Sequence, residues 1–122
     1  MDIETSLKEA MEIVGALGVA LVDYDSGMAL GTLGGGRYLD LEVAAAGNTE
    51  VVRAKMRALA ALKLDEKIDD ILITLTNQYH VIRLLQTRTG GGLFLYLALD
   101  REKANLAMAR HQLRQIGATV TV

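Results

Sequence analysis

The chain contains no cysteine and no proline, and its aromatic residues amount to 4 %. Without cysteine there is neither a disulfide framework nor a Cys-ligated zinc site. So few aromatics exclude a base-stacking platform, and a net charge of -2 with a pI near 5.6 argues against nucleic acid as the main ligand. No window approaches the ~18 uninterrupted apolar residues that a membrane span needs. The start, Met1-Asp2-Ile3-Glu4-Thr5, is acidic and lacks the basic region and apolar run of a signal peptide. These absences lead to the expectation of a cytoplasmic protein. What remains is 122 residues, 51 % of them hydrophobic. That length suits one domain over residues 1–122, and the apolar share points to surface meant for another chain.

Ile68 to Leu99 organises the rest. It reads as three β-strands: Ile71 to Thr76, Tyr79 to Gln86 and Leu93 to Leu99, rich in β-branched, leucine and aromatic residues. Asn77-Gln78 joins the first pair, and a loop containing Gly90-Gly91-Gly92 joins the second, so an antiparallel meander is expected. Apolar residues fall on both faces of the last strand, Leu93, Leu95, Leu97 and Leu99 opposing Phe94, Tyr96 and Ala98. A sheet wet on one side would alternate more cleanly, so cover on both faces is predicted.

Ahead of the meander, Ser6 and Glu9 have the form of a capping box for a helix from about Thr5 to Val14, with Ile3, Leu7, Ala10, Met11 and Val14 as its apolar stripe. Val19 to Tyr24 and Met28 to Leu33 flank the turn signal Asp25-Ser26-Gly27 and predict a hairpin. At the other end, Asp100 offers an N-cap for a helix from about Arg101 to Ile116, with Leu106, Ala109, Leu113 and Ile116 facing inward. Thr119 to Val122 reads as a disordered tail or an added edge strand. The expected fold is α+β, a five-stranded antiparallel sheet in the order α-β-β-α-β-β-β-α with helices on both faces and the first hairpin beside the last strand.

The helix expected from Asp40 to Leu62 carries more information. At 100° per residue its apolar side chains cover roughly 220°. One edge holds Ala44, Gly47, Val51, Ala54, Ala58 and Ala61; the other holds Leu41, Ala45, Val52, Met56 and Leu59. Asn48 and Lys55 sit between them, and Glu42, Thr49, Glu50, Arg53 and Arg57 form the polar face. One sheet needs an arc of only ~100° or somewhat more. This helix therefore packs on its own sheet and on a second body.

No candidate catalytic or metal constellation survives inspection. Asp23-Tyr24-Asp25-Ser26-Gly27 opens like a calcium loop, but its twelfth place is Gly34 where a bidentate carboxylate is required. The glycines at 31, 34, 35 and 36 lack the Lys-Ser/Thr pair of a phosphate loop. His80 and His111 have no second ligand at metal spacing. Ser6 and Ser26, the two serines, read as cap and turn residues. Asp65, Glu66, Asp69 and Asp70 read as a solvated connection, and Lys103, Arg110 and Arg114 as partners of the first helix or of solvent. A non-enzymatic protein without cofactors is the expectation.

Several segments resemble the roadblock/LC7 family of small dimeric domains: Gly18 to Asp23 with Asp25-Ser26-Gly27, the Ala-rich central helix, Tyr79 to Leu85, Leu93 to Arg101, and Ala104 to Arg110. The form is similar to bacterial members found beside Ras-like GTPases and sensor kinases in actinobacterial operons. The resemblance implies a homodimer that packs its central helices together and pairs the first meander strands. It places Ala44, Val51, Val52, Ala54, Lys55, Ala58, Leu59, Ile71, Ile73 and Leu75 at the interface. It also implies a regulator that binds a small Ras-like GTPase, for which Glu50, Arg53 and Arg57 on the central helix are the candidate contacts. A scaffold in a sensor-kinase complex and a small-molecule-sensing domain are the alternatives.

Overall fold

The computed structural model describes residues 1–86 and 92–122. Helix α1 (Ile3–Met11) leads into strands β1 (Ala16–Asp23) and β2 (Met28–Gly34), then helix α2 (Leu41–Ala61). Strands β3 (Asp70–Thr74), β4 (Gln78–Leu85) and β5 (Leu93–Asp100) follow, and helix α3 (Leu106–Thr119) ends the order. All neighbouring strands are antiparallel, in the spatial order β2-β1-β5-β4-β3. The element order, the five-stranded sheet and the place of the first hairpin beside the last strand are those expected from the sequence.

Strand β5 lies in the middle, and every residue from Leu93 to Leu99 is buried. Alternate side chains enter two cores. Leu93, Leu95, Leu97 and Leu99 join Val19, Leu21 and Val81 beneath α1 and α3. Phe94, Tyr96 and Ala98 join Ala20, Val22, Ile82 and Leu84 beneath α2. Each fully buried Leu or Phe supplies about 1.5–3 kcal/mol, so this strand anchors both layers. The hairpin between β1 and β2 closes at Gly27 (φ +80°), and β2 ends at Gly34 (φ +75°), where a Cβ would stand 2.8 Å from the Leu17 carbonyl oxygen.

Several expected boundaries move. The cap of α1 is Asp2, whose carboxylate accepts the Thr5 N–H at 2.8 Å. Ser6 lies buried inside the helix and donates its hydroxyl to the Asp2 carbonyl, so no Ser6–Glu9 capping box forms. Val14 lies beyond the helix and is exposed, while Ile13 takes the inward position. Asp100 ends β5; α3 starts later, capped by the Asn105 side chain accepting from Met108 N–H. Gly117 sits within α3, which continues to Thr119, and the tail beyond adds no strand: Thr121 N–H donates to the Met1 carbonyl. Thr49, expected on the polar face of α2, is buried, because its hydroxyl donates to the Ala45 carbonyl at 2.7 Å and leaves its methyl to pack. Gly47-Asn48 does not interrupt α2: the Asn48 amide donates to the Ala44 carbonyl. Gly90 and Gly91 lie outside the described residues.

The N-cap of α2 carries a direct test. The Asp40 carboxylate accepts from the N–H groups of both Glu42 and Val43, at 3.0 and 3.1 Å. Asp40→Ala should lower stability by about 1 kcal/mol. A urea midpoint unchanged from wild type would show that the cap does not hold this helix.

Candidate functional site

Helix α2 lies across its sheet on the line Leu41, Ala45, Thr49 and Val52, with Met56 and Leu59 continuing it half-buried. One flank of the helix, carrying Val51, Ala54, Lys55 and Ala58, is exposed, with Ala44 half-buried at its margin. This flank leans toward β3: Val51, Lys55 and Leu59 share a groove of about 440 Å³ with Ile68, Asp70 and Ile71. The floor of the groove is unfinished, since Ile71 and Ile73 on the α2 face of β3 are half-buried. Half-covered apolar side chains therefore run from helix to strand, with Lys55, Glu66, Lys67 and Asp70 interspersed among them.

The strand beside them is an open edge. Leu75 N–H donates to the Gln78 carbonyl, and Leu84 N–H donates to the Asp69 carbonyl. With the register Leu72↔Val81 and Ile73↔His80, those bonds place alternate residues of β3 toward β4. The backbone groups of Leu72 and Thr74 consequently point away from the sheet. Such an edge is a ready template for another strand.

Each residue expected at an interface can now be placed. Ala44, Val51, Ala54, Lys55, Ala58 and Leu59 lie on or beside the exposed flank. Ile71 and Ile73 lie on the shelf below it. One placement needs correction, and one strand end moves. Val52 is 0 % exposed and packs into the core beneath α2, because its position points straight at the sheet. Leu75 lies past the end of β3, exposed in the turn, where its carbonyl accepts the Arg101 guanidinium.

Glu50, Arg53 and Arg57 are exposed on the opposite flank of α2. Arg53 is partly committed there, donating from Nη2 to the Asp25 carbonyl at 3.0 Å and pinning the first hairpin turn to the helix. On the other face of the sheet, Arg110 departs from its expected partners. Its guanidinium grips the Asp70 carboxylate bidentately, at 2.7 and 2.9 Å, and the pair ties α3 to the edge strand. That hydrogen-bonded carboxylate raises the Arg110 pKa. Asp70 is thus a strand-edge ion-pair partner, not part of a solvated connection.

His80 completes the site and was not singled out as functional by its sequence context. It stands on β4 between Ile73 of β3 and Ala98 of β5. Its Nε2 lies 2.8 Å from Gln78 Oε1, and the Tyr96 hydroxyl lies 3.2 Å from Nδ1. Burial holds the imidazolium below its ordinary pKa and pushes the Tyr96 phenol up to about 12. Among the described residues no group of three or more His, Asp or Glu is placed to hold a metal ion. Among them, too, no helix is long and apolar enough to cross a membrane.

No family model and no curated protein matches the chain. Solved structures do. A roadblock/LC7 domain from Streptomyces avermitilis superposes with a TM-score of 0.77 at 15 % identity, over 96 % of this chain and 92 % of that one. The chain has the roadblock/LC7 fold. MglB from Myxococcus xanthus matches with a TM-score of 0.71 at 19 % identity, over 93 % of this chain and 77 % of that one. A structure of MglB with a tetrameric arrangement matches at 0.76 and 18 % identity, over 94 % of this chain and 82 % of that one. The roadblock/LC7 fold accounts for the layers and strand order; the exposed flank and shelf are read from this chain's own residues.

Neighbouring valines separate fold from surface. Val52→Glu buries a charge in the α2 core and should unfold a domain whose whole stability is of the order of 5–15 kcal/mol. Val51, 38 % exposed, should accept glutamate with the fold intact. Circular dichroism melts of the two variants check this, and equal loss of structure in both would refute the placement of α2.

Proposed function

We propose that this chain is a non-enzymatic homodimeric regulator of a small Ras-like GTPase. The observation that carries the dimer is the adjacency of the exposed α2 flank to the half-buried shelf of Ile71 and Ile73 and to the open edge of β3. A second copy related by a two-fold axis would meet that surface with the same surface, as isologous dimers do. Small side chains at Ala44, Ala54 and Ala58 let two helices approach closely, and outward N–H and C=O groups of Leu72 and Thr74 let two edges pair. The roadblock/LC7 fold supports self-association, since MglB has been solved with a tetrameric arrangement.

The GTPase is the partner that the resemblance to bacterial roadblock domains implies. In the proposed dimer the Glu50, Arg53 and Arg57 flank stays free, because it lies across α2 from Val51. Arg57 is the cleaner probe of that face, Arg53 being engaged with the Asp25 carbonyl.

Light scattering after size exclusion should give twice 13.2 kDa for the wild type, persisting on dilution to micromolar concentration, and 13.2 kDa for Val51→Glu. A wild-type monomer would overturn the dimer. Arg57→Glu should keep the dimer mass and weaken binding of a Ras-like GTPase from the same organism at least tenfold, about 1.4 kcal/mol. GTP hydrolysis measured with and without the chain then divides regulation from recruitment: an unchanged rate with binding intact would replace the regulator by an adaptor.

A further inference from the structure

We infer that self-association of this chain is proton-linked through His80, and that the interface closes only over the neutral ring. The inference deepens the homodimer reading above and rests on it.

The protonation state of His80 is set by its neighbours. Gln78 Oε1 only accepts, so Nε2, 2.8 Å away, carries the proton. The Tyr96 hydroxyl stands 3.2 Å from Nδ1 and 3.3 Å from Nε2, and with the proton on Nε2 it is Nδ1 that is left to accept from it. The two rings meet edge to face, with centroids 5.2 Å apart at 83°. Tyr96 is wholly buried, and among the described residues His80 is the one hydrogen-bond partner of its hydroxyl. A second proton on the imidazole would set two donors against each other. The phenol would have to turn its proton away from its acceptor, leaving a buried O–H unpaired.

The ring also sits where a second copy would cover it. His80 is directly across from Ile73, and paired side chains on one sheet face stand about 4.5–5.5 Å apart at Cβ. A helix laid against the α2 flank and over Ile71 and Ile73 therefore covers His80 too, removing the water that would solvate an imidazolium. Among the described residues no carboxylate is hydrogen-bonded to the ring. Strand β3 presents Ile73 beside the ring, β4 presents Gln78, and β5 presents Tyr96 and Ala98, with Asp100 one pair further along the same face, opposite Gln78, its carboxylate accepting the Glu102 N–H. The charged residue on the flank of α2 that faces this side is Lys55, in the groove with Glu66 and Asp70. Among the described residues no carboxylate forms an ion pair with His80.

The sign follows. Burial already lowers the proton affinity of His80 in the single chain, and covering lowers it further. The dimer then binds fewer protons than two monomers, so acid favours dissociation, and because the single chain's own His80 is already lowered the effect develops below the ordinary histidine value of about 6.5.

The test compares dimer dissociation constants of the wild type and His80→Gln by sedimentation at pH 7.5 and 5.5. Glutamine still offers Tyr96 an acceptor but does not titrate. His111, exposed on α3, is present in both proteins and cancels. The expected result is at least tenfold weakening at pH 5.5 for the wild type and less than twofold for His80→Gln. Equal weakening in both would overturn the inference. If His80→Gln does not fold, NMR titration of the His80 ring decides: a midpoint lower in concentrated than in dilute wild type supports it, and identical midpoints overturn it. A wild type that is monomeric at both pH values removes the homodimer reading, and the inference with it. A dimer of equal strength at both pH values removes the inference alone.

Discussion

The burial of β5 on both faces is the constraint on which the rest of the structure depends. A strand whose seven residues from Leu93 to Leu99 are all withdrawn from water needs a neighbour on each side and a layer above and below. Strands β1 and β4 supply the neighbours, α1 with α3 one layer, and α2 the other. A single helix cannot cover a five-stranded face. Helix α2 follows β1 and β2 and reaches the far side of the sheet only at its C-terminal end, through Met56 and Leu59. The shelf of Ile71, Ile73 and His80 is what it leaves uncovered, and the interface proposed above is the consequence.

Most of this architecture was legible because it rests on periodicity. The alternation along Leu93 to Leu99 shows two covered faces, and the period of α2 shows the line that packs on the sheet. Local hydrogen-bond competition was less legible. Ser6 and Glu9 match a capping box in letters, yet Asp2 holds the Thr5 N–H. Thr49 looks polar on a helical wheel, yet its hydroxyl is satisfied within its own helix, and it packs as an apolar residue. Asp100 looks like a cap, but the pairing of β5 with β4 extends through it to Gln78.

The candidate site was legible at the level of the element and blurred at the level of the residue. The arc drew attention to α2, but about 100° separates Val51 from Val52, which decides between surface and core. The Asp70–Arg110 pair joins residues 40 positions apart in sequence, and the His80–Tyr96 pair spans 16. Neither leaves a short-range signal. Both become visible once strand register is known, since it sets which side chains share a face.

The central claim, that the β3 edge is closed by a second copy, is tested most directly by hydrogen exchange at the Leu72 and Thr74 amides as protein concentration is varied. Both N–H groups point outward from the sheet in a single chain. The account predicts strong protection of these two amides in concentrated protein, lost on dilution, while Ile71 and Ile73, bonded to β4, stay protected throughout. Rapid exchange of Leu72 and Thr74 at every concentration would contradict it.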